Sequence, residues 1–373
     1  MTSKLRILQI QNNFNANESD LAEQIIKGLD KDRFDITTAF LKKRPCPDDP
    51  HGAADRSVYF DFGSKQLEGL RRYLVLYRLY RFCKDNPFDV VICHRFKPTH
   101  LFLLLNRFLS FRWCISVTHG IGDFDRRYRQ KIVNRWLKNN WRFVGVSEAV
   151  KNDLIKHCSG LNDQNTLVIN NAIDIRRAHE VQHSREKARD LLSIDHQRFV
   201  FGTIGRLVPV KGHKYLIDAA RVLKEQYPAI QVVIIGGGRL EPVLRKQIEE
   251  HQLHDVVKLT GWKDDALQYV RAFDVFVLPS SSEGMPVSLL EAMSGAIPAV
   301  GSDIPSIRPV IEKVGKLARP ENLESLVQAM ESYLQMTPEQ IIQSGAEHLA
   351  CLQANHAIED YRRQWRQLIE QGR

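Results

Sequence analysis

Two glutamates, Glu283 and Glu291, stand eight positions apart in the stretch SSEGMPVSLLEAMSGA, residues 280–295. The apolar run before them, FDVFVLPS, reads as a strand buried on both faces. Pro286 sits where a first helical turn would begin, and Leu289, Leu290 and Met293 follow at helical spacing. Glu283 is thereby placed in a strand-to-helix loop and Glu291 about two turns into the helix. Glutamate is a good helix former and suits first turns, so the pair acquires meaning only from what accompanies it. Upstream lies GRLVPVKGH, where Gly205 permits a tight turn and Arg206 and Lys211 flank a short loop opening a helix. Two cations with helix N–H groups make a diphosphate site, although the Walker order GxxxxGK[ST] is absent. A third position is His119 in HGIGDF, at a strand end, followed by glycines that let a ligand approach the backbone. Asp123 and Asp125 spell DxD, read here as caps of the helix through RRYRQKIVNRW rather than as metal ligands.

These positions all follow strands, which sets what must hold them. LRILQI, FDITTAF, SVYFDF, DVVICH, WCISVT, RFVGVS and TLVIN alternate with helical segments; the pattern restarts with FVFGTIGR, QVVIIGGG, VVKLTG, VFVLPS and IPAVGS. Such alternation builds parallel sheets covered by helices on both faces, with ligands beyond the carboxyl ends of the strands. The α/β chain is therefore expected to form two doubly wound, Rossmann-like domains. The first is 1–175 and the second 176–355, with the polar stretch 176–190 as the boundary and the last helix, 356–371, packing back on the first domain.

The 373 residues suffice for two cores, with 43% hydrophobic and 26% charged residues. No apolar stretch reaches the roughly 18–20 residues of a membrane span, and the start lacks a signal-peptide core. Six scattered cysteines without a CxxC pair fit a reduced, cytosolic protein. The net charge of +9 is uneven: residues 1–175 hold 28 basic and 19 acidic residues, and residues 176–373 hold 25 of each. Residues 64–142 alone carry 17 basic against 5 acidic. That region faces something anionic: lipid headgroups, nucleic acid or a phosphorylated glycan.

GRLVPVKG, EGMPVSLLEAMSGAIPAV, and VGVSEAVKNDLI followed by VINNAID together resemble the retaining glycosyltransferases of family 4, which have the GT-B fold of two such domains facing across a cleft. The resemblance spans the chain and is most specific over residues 200–305. It implies that Arg206 and Lys211, behind Gly205, neutralise a donor diphosphate whose charge grows as the sugar leaves. Glu283 would contact sugar hydroxyls beside the backbone N–H groups of Gly284, Met285 and Val287. Glu291 would accept from the ribose hydroxyls, Trp262 would stand near the base, and His119 would lie near the transferred sugar. It implies no metal, a UDP-sugar in preference to a GDP-sugar, and front-face attack through an oxocarbenium-like ion pair. Two departures stand out: asparagines replace glycines in the loop after the first strand, and Ala172 replaces the glycine of N-G-I-D.

The segment GLRRYLVLYRLYRF, residues 69–82, mixes arginine with leucine, tyrosine and phenylalanine. It reads either as a buried helix edged by snorkelling arginines or as a surface helix lying on an anionic bilayer through Arg71, Arg72, Arg78 and Arg81. Absence of an RNA- or DNA-binding motif ranks nucleic acid below membrane. The resulting expectation is a glycosyltransferase, peripheral at the inner membrane, acting on a glycan or glycolipid acceptor in lipopolysaccharide or exopolysaccharide assembly. The competing expectations are a GT-B sugar-nucleotide epimerase and a basic, non-catalytic binding protein on the same scaffold.

Overall fold

The computed structural model describes residues 4–14, 20–46, 52–67 and 69–371. The chain divides into two compact units, Met1–Asn171 with Ile358–Arg373, and Ala172–Ala357. The division thus falls just ahead of the polar stretch 176–190, which forms the helices Ile175–Val181 and Arg185–Leu192 of the second unit. The asparagine-rich segment 15–19 lies outside the described residues.

Unit 1 contains the strands β1 (Leu5–Asn13), β2 (Phe34–Lys42), β3 (Arg56–Tyr59), β4 (Val90–His94), β5 (Trp113–Thr118), β6 (Trp141–Gly145) and β7 (Thr166–Val168). They form one sheet in the order β3-β2-β1-β4-β5-β6-β7, and each pairing is parallel. The central strand β4 is buried along its whole length, which is why it reads as an uninterrupted apolar run. The C-terminal helix Ile358–Glu370 buries Ile358, Tyr361, Trp365, Leu368 and Ile369 in this unit. Tyr361 Oη donates to the carbonyl of Leu21 at 3.1 Å, and Arg362 Nε to Gln24 Oε1 at 3.1 Å.

Unit 2 contains β8 (Phe199–Ile204), β9 (Ile230–Ile235), β10 (Val257–Gly261), β11 (Val275–Leu278), β12 (Ala299–Ser302) and β13 (Lys316–Ala318). Its parallel order is β10-β9-β8-β11-β12-β13. Phe201 of β8 pairs with Val232 on one side and Val275 on the other. These strands meet Leu216, Ile217, Leu244, Leu326, Met330 and Tyr333 from the covering helices in one core. β13 has no counterpart in the apolar pattern, since only Ala318 of its three residues is buried. Among the described residues no disulfide forms, and Cys83, Cys93, Cys114 and Cys158 are buried thiols. No described helix is long and apolar enough to cross a membrane.

Candidate functional site

In unit 2 the strand order reverses direction between β8 and β11, and the crevice at their carboxyl ends is where such sheets bind ligands. The loop after β8, residues 205–212, and the loop after β11, residues 279–286, are bound backbone to backbone: Ser281 N donates to the Val210 carbonyl at 2.9 Å. Gly212 has φ +67°, and a Cβ there would lie 2.0 Å from the Pro279 carbonyl oxygen, so only glycine fits. At Gly236, after β9, an added Cβ would come within 1.9 Å of the Gly205 oxygen. Backbone contact therefore fixes three loops against one another before any side chain is considered.

The side chains complete the site. Glu283 Oε1 accepts from Lys211 Nζ at 2.7 Å and from Ser280 Oγ at 2.6 Å. The Lys211 and Glu283 side chains are 15% and 12% exposed, so the pair is sheltered while staying within reach of a ligand. Both bonds fall on Oε1, which leaves Oε2 to accept from a ligand hydroxyl; the ammonium keeps two further protons for an anion. Arg206 is exposed, with no side-chain hydrogen bond among the described residues. Helix His213–Leu223 starts directly after Gly212, and helix Val287–Ser294 after Pro286, which is its N-cap. Two sets of orphan N–H groups thus open at the ends of the loops that carry Lys211 and Glu283. Gly284 and Met285 are buried in the turn and Val287 begins the helix. Because the helix begins at Val287, Glu291 lies just past its first turn, earlier than the two turns read from the sequence.

Glu291 is partly buried, and its carboxyl is pushed up to about 7 by burial, then by the neighbouring Asp265 carboxylate, with Arg177 opposing. Arg177 Nη2 is 3.1 Å from Asp265 Oδ2. The helix Ile175–Val181 that carries Arg177 is tied to Glu291's helix by His179 Nε2 at 2.9 Å from the Ser294 carbonyl oxygen. Gln182 Nε2 adds a bond to Ser294 Oγ at 2.9 Å. Trp262 is 69% exposed just past β10, its Cβ beside Gly237, with Nε1 donating to Asp264 Oδ1 at 3.1 Å. Sequence reasoning missed Ser280, Arg177 and Asp265. Ser280 had a signal, being three residues before Glu283; Arg177 and Asp265 are distant in sequence and had none.

In unit 1, His119 directly follows β5, and its Nε2 lies 3.2 Å from Nδ1 of His94, the last residue of β4. Burial and the adjacent Arg95 guanidinium push His119 down to about 3. The same guanidinium draws down the burial-raised carboxyls of Asp20 and Asp123. Arg95 itself has φ 68° and ψ 174°, a conformation that residues with a Cβ avoid.

The capping role read for Asp123 and Asp125 is not what the structure shows. The N-cap of helix Arg127–Trp136 is Arg126, without a side-chain cap bond. Asp125 lies 3.6 Å from His157 Nδ1, which is also 3.2 Å from Asp153 Oδ1. Asp153 Oδ2 in turn accepts from Gly122 N at 3.0 Å. Ligand atoms of Asp125, Asp153 and His157 lie within 4.8 Å of one another. His157 Nδ1 is also 2.9 Å from the Asp153 carbonyl oxygen, so a proton on that nitrogen satisfies the group without an ion.

The basic segment forms helix Arg72–Asp85, which buries Val75, Leu79 and Cys83. Leu70, Tyr73, Leu74 and Tyr77 stand exposed at helical spacing, an apolar stripe on the outer side. Arg71 and Arg81 are exposed beside it, Arg72 is partly buried, and Arg78 stacks over Phe62 at 4.8 Å. The helix is therefore on the surface, packed through one face.

Comparison with known proteins bears on both units. The family model described as Glycosyltransferase Family 4 matches residues 21–177, and that described as Glycosyl transferases group 1 matches residues 184–348. An Escherichia coli protein named UDP-Gal:alpha-D-GlcNAc-diphosphoundecaprenol alpha-1,3-galactosyltransferase is 27% identical over 285 residues, 74% of this chain and 73% of that one. The amylovoran biosynthesis glycosyltransferase AmsK of Erwinia amylovora is 38% identical over 210 residues, 53% of this chain and 49% of its own. Among solved structures, Anabaena HepE in complex with UDP has a TM-score of 0.79 at 18% identity, covering 98% of this chain and 100% of its own. Sucrose-phosphate synthase from Thermosynechococcus elongatus reaches 0.83 at 18% identity, covering 99% of each. These structural likenesses show the fold, GT-B.

Proposed function

Because this chain belongs to glycosyltransferase family 4, we propose that it moves a hexosyl group from a UDP-sugar to a lipid-linked glycan with retention at the anomeric carbon and without a metal ion. The observation that carries this reading is the meeting of Lys211, Glu283 and Ser280 where two helices begin, with Arg206 on the same loop as Lys211. As the sugar–phosphate bond breaks, negative charge grows on the diphosphate, and preorganised cations and N–H groups stabilise that charge more than the ground state. Arg206, Lys211 and the start of helix His213–Leu223 supply them, the part a divalent cation takes in other transferases. Glu283 Oε2 and the N–H groups of Gly284, Met285 and Val287 hold the sugar. Glu291 accepts from the ribose, and Trp262 flanks the base. His119 contacts the transferred sugar as a neutral ring. The acceptor hydroxyl attacks from the face the diphosphate leaves, through an oxocarbenium-like ion pair.

The E. coli relative's name supplies a UDP-sugar donor and a polyprenyl-diphosphate acceptor, and the proposal carries both classes to this chain. A lipid acceptor requires a membrane surface. The stripe Leu70, Tyr73, Leu74 and Tyr77 with Arg71, Arg72, Arg78 and Arg81 suits the cytoplasmic face of an anionic inner membrane.

The test is incubation with radiolabelled UDP- and GDP-sugars and a polyprenyl-diphosphate sugar, with product anomers read by NMR and EDTA added in parallel. Transfer from a UDP-sugar with retained configuration, unaffected by EDTA, is expected. Epimerised donor, inverted product or EDTA-abolished transfer restored by Mg²⁺ each overturns part of the reading; silence toward every donor favours a binding protein.

A further inference from the structure

We propose that His94 is a positioning residue for His119: its Nδ1–H donates to His119 Nε2 and so fixes His119 in the tautomer that keeps its own proton on Nδ1. The inference rests on the reading of His119 as a sugar-contacting group, and it specifies which of that ring's nitrogens is the donor.

The two rings lie 5.4 Å apart between centroids, tilted by 30°, with Nδ1 of one and Nε2 of the other at 3.2 Å. A single proton can occupy that line, so one ring donates and the other accepts. His94 decides which. It is 5% exposed, and its Nε2 is buried with no hydrogen-bond partner among the described residues. A proton there would be a buried N–H with no acceptor, a rarer state than an unused lone pair. The His94 proton therefore sits on Nδ1 and points at His119 Nε2. A second proton, making either ring cationic, is opposed by burial and by the Arg95 guanidinium beside both. Asp20, ahead of helix Leu21–Lys27, and Asp123, after β5, are the carboxyl groups that feel the same guanidinium, and Arg129 acts on Asp123 as well. What remains to His119 is Nδ1–H, which makes no hydrogen bond to the protein among the described residues.

The backbone is shaped to hold this pair. His94 and Val117 are register partners on β4 and β5, and Arg95 N continues the ladder to the Val117 carbonyl at 2.8 Å. Arg95 then turns through φ 68°, ψ 174°, a strained backbone conformation for a residue with a Cβ. Thr99 Oγ1, bonded to the Arg95 carbonyl at 2.9 Å and to Ser116 Oγ at 2.7 Å, closes the turn from the helix side. Strain at the residue directly after His94 is thus overdetermined by bonds on both sides.

The experiment uses the full-length protein with ¹⁵N-histidine and long-range ¹H–¹⁵N correlation of the ring nitrogens near neutral pH. Expected is His119 with a bare Nε2 and a protonated Nδ1, unchanged on acidification to about pH 5. His94→Phe should shift His119 toward the Nε2–H tautomer common in free imidazoles and lower kcat about tenfold to a hundredfold with little change in donor KM. His94→Asn, whose amide nitrogen stands near the Nδ1 position, should restore both. Protonated Nε2 on wild-type His119 overturns the proposal, as does a His94→Phe enzyme with unchanged tautomer and kcat; the wild-type spectrum decides even if a variant fails to fold. If the tautomer and its response to His94→Phe are as expected but His119→Ala transfers sugar normally, the positioning stands and the sugar-contact reading of His119 falls.

Discussion

In unit 2 the loops after β8, β9 and β11 are locked to one another through backbone, whereas in unit 1 the end of β4 is held by a strained arginine and a chain of side-chain hydrogen bonds. Gly212 against Pro279 and Gly236 against Gly205 leave no room for a methyl group. Gly120, directly after His119, has open space where its Cβ would be. Charge follows the same division: unit 2's cations at the site are few and placed, while residues 64–142 carry 17 basic residues over a broad surface. The contrast teaches that the two ends solve different problems. On the proposed reading, a diphosphate is the same group in every donor and rewards a rigid cradle, while the basic surface of residues 64–142 meets the diffuse charge of a lipid surface and needs no fixed geometry there.

The sharpest way to break this comparison is to remove a cation from the unit 2 cradle. Lys211→Ala and Arg206→Ala should each cost about 2–4 kcal/mol in kcat/KM. The Lys211 change should be the larger, since it also releases Glu283 from its 2.7 Å partner. Near-normal kcat/KM in both variants removes the diphosphate assignment.

Stability should divide in the same way. Gly212→Ala forces a left-handed residue into a carbonyl and should lose roughly 2–4 kcal/mol in denaturant unfolding. Gly120→Ala should stay within about 0.5 kcal/mol. Equal losses would mean that the unit 2 loops are not locked as described.

Glu291 gives a pH signature. Its folded-state value, raised from 4.5 to about 7 chiefly by burial, means that the folded chain keeps a proton the unfolded chain has released. The stabilisation is complete below about pH 4.5 and is lost as pH rises through about 7. Glu291→Gln should therefore raise Tm relative to wild type at pH 8 and match it near pH 4.5. A constant difference across that range contradicts the buried, proton-holding carboxyl.

The smallest effects belong to the basic surface, at about 1 kcal/mol per arginine near an anionic bilayer, screened over roughly 8 Å at physiological salt. Sedimentation with anionic vesicles should fall when Arg71, Arg72, Arg78 and Arg81 become serine. It should fall again when Tyr73, Leu74 and Tyr77 do. Unchanged sedimentation in both variants removes this helix as the anchor.

Much of this was legible in the sequence because it is local. β8 and β11 are apolar runs, Arg206 and Lys211 follow one of them, and Glu283 and Glu291 follow the other. What escaped was long-range or conformational. His94 looked like the end of a strand, and only the β4–β5 register places it against His119. Arg95's left-handed turn has no mark in residue type, since glycine would be the natural occupant. Asp123 and Asp125 looked like helix caps, yet the helix begins at Arg127, and Asp125 is drawn toward His157 and Asp153 instead.

On the proposed reading the two glutamates hold opposite ends of one nucleotide-sugar, Glu291 the ribose and Glu283 the sugar. Calorimetric titration of UDP into wild type, Glu283→Ala and Glu291→Ala tests it directly, because UDP carries the ribose and lacks the sugar. Glu291→Ala is expected to weaken UDP about tenfold or more, the worth of two hydrogen bonds between the carboxyl and the ribose hydroxyls. Glu283→Ala should bind UDP as well as wild type or better, since Lys211 is then free for the diphosphate. UDP affinity that falls in Glu283→Ala and survives in Glu291→Ala would contradict it.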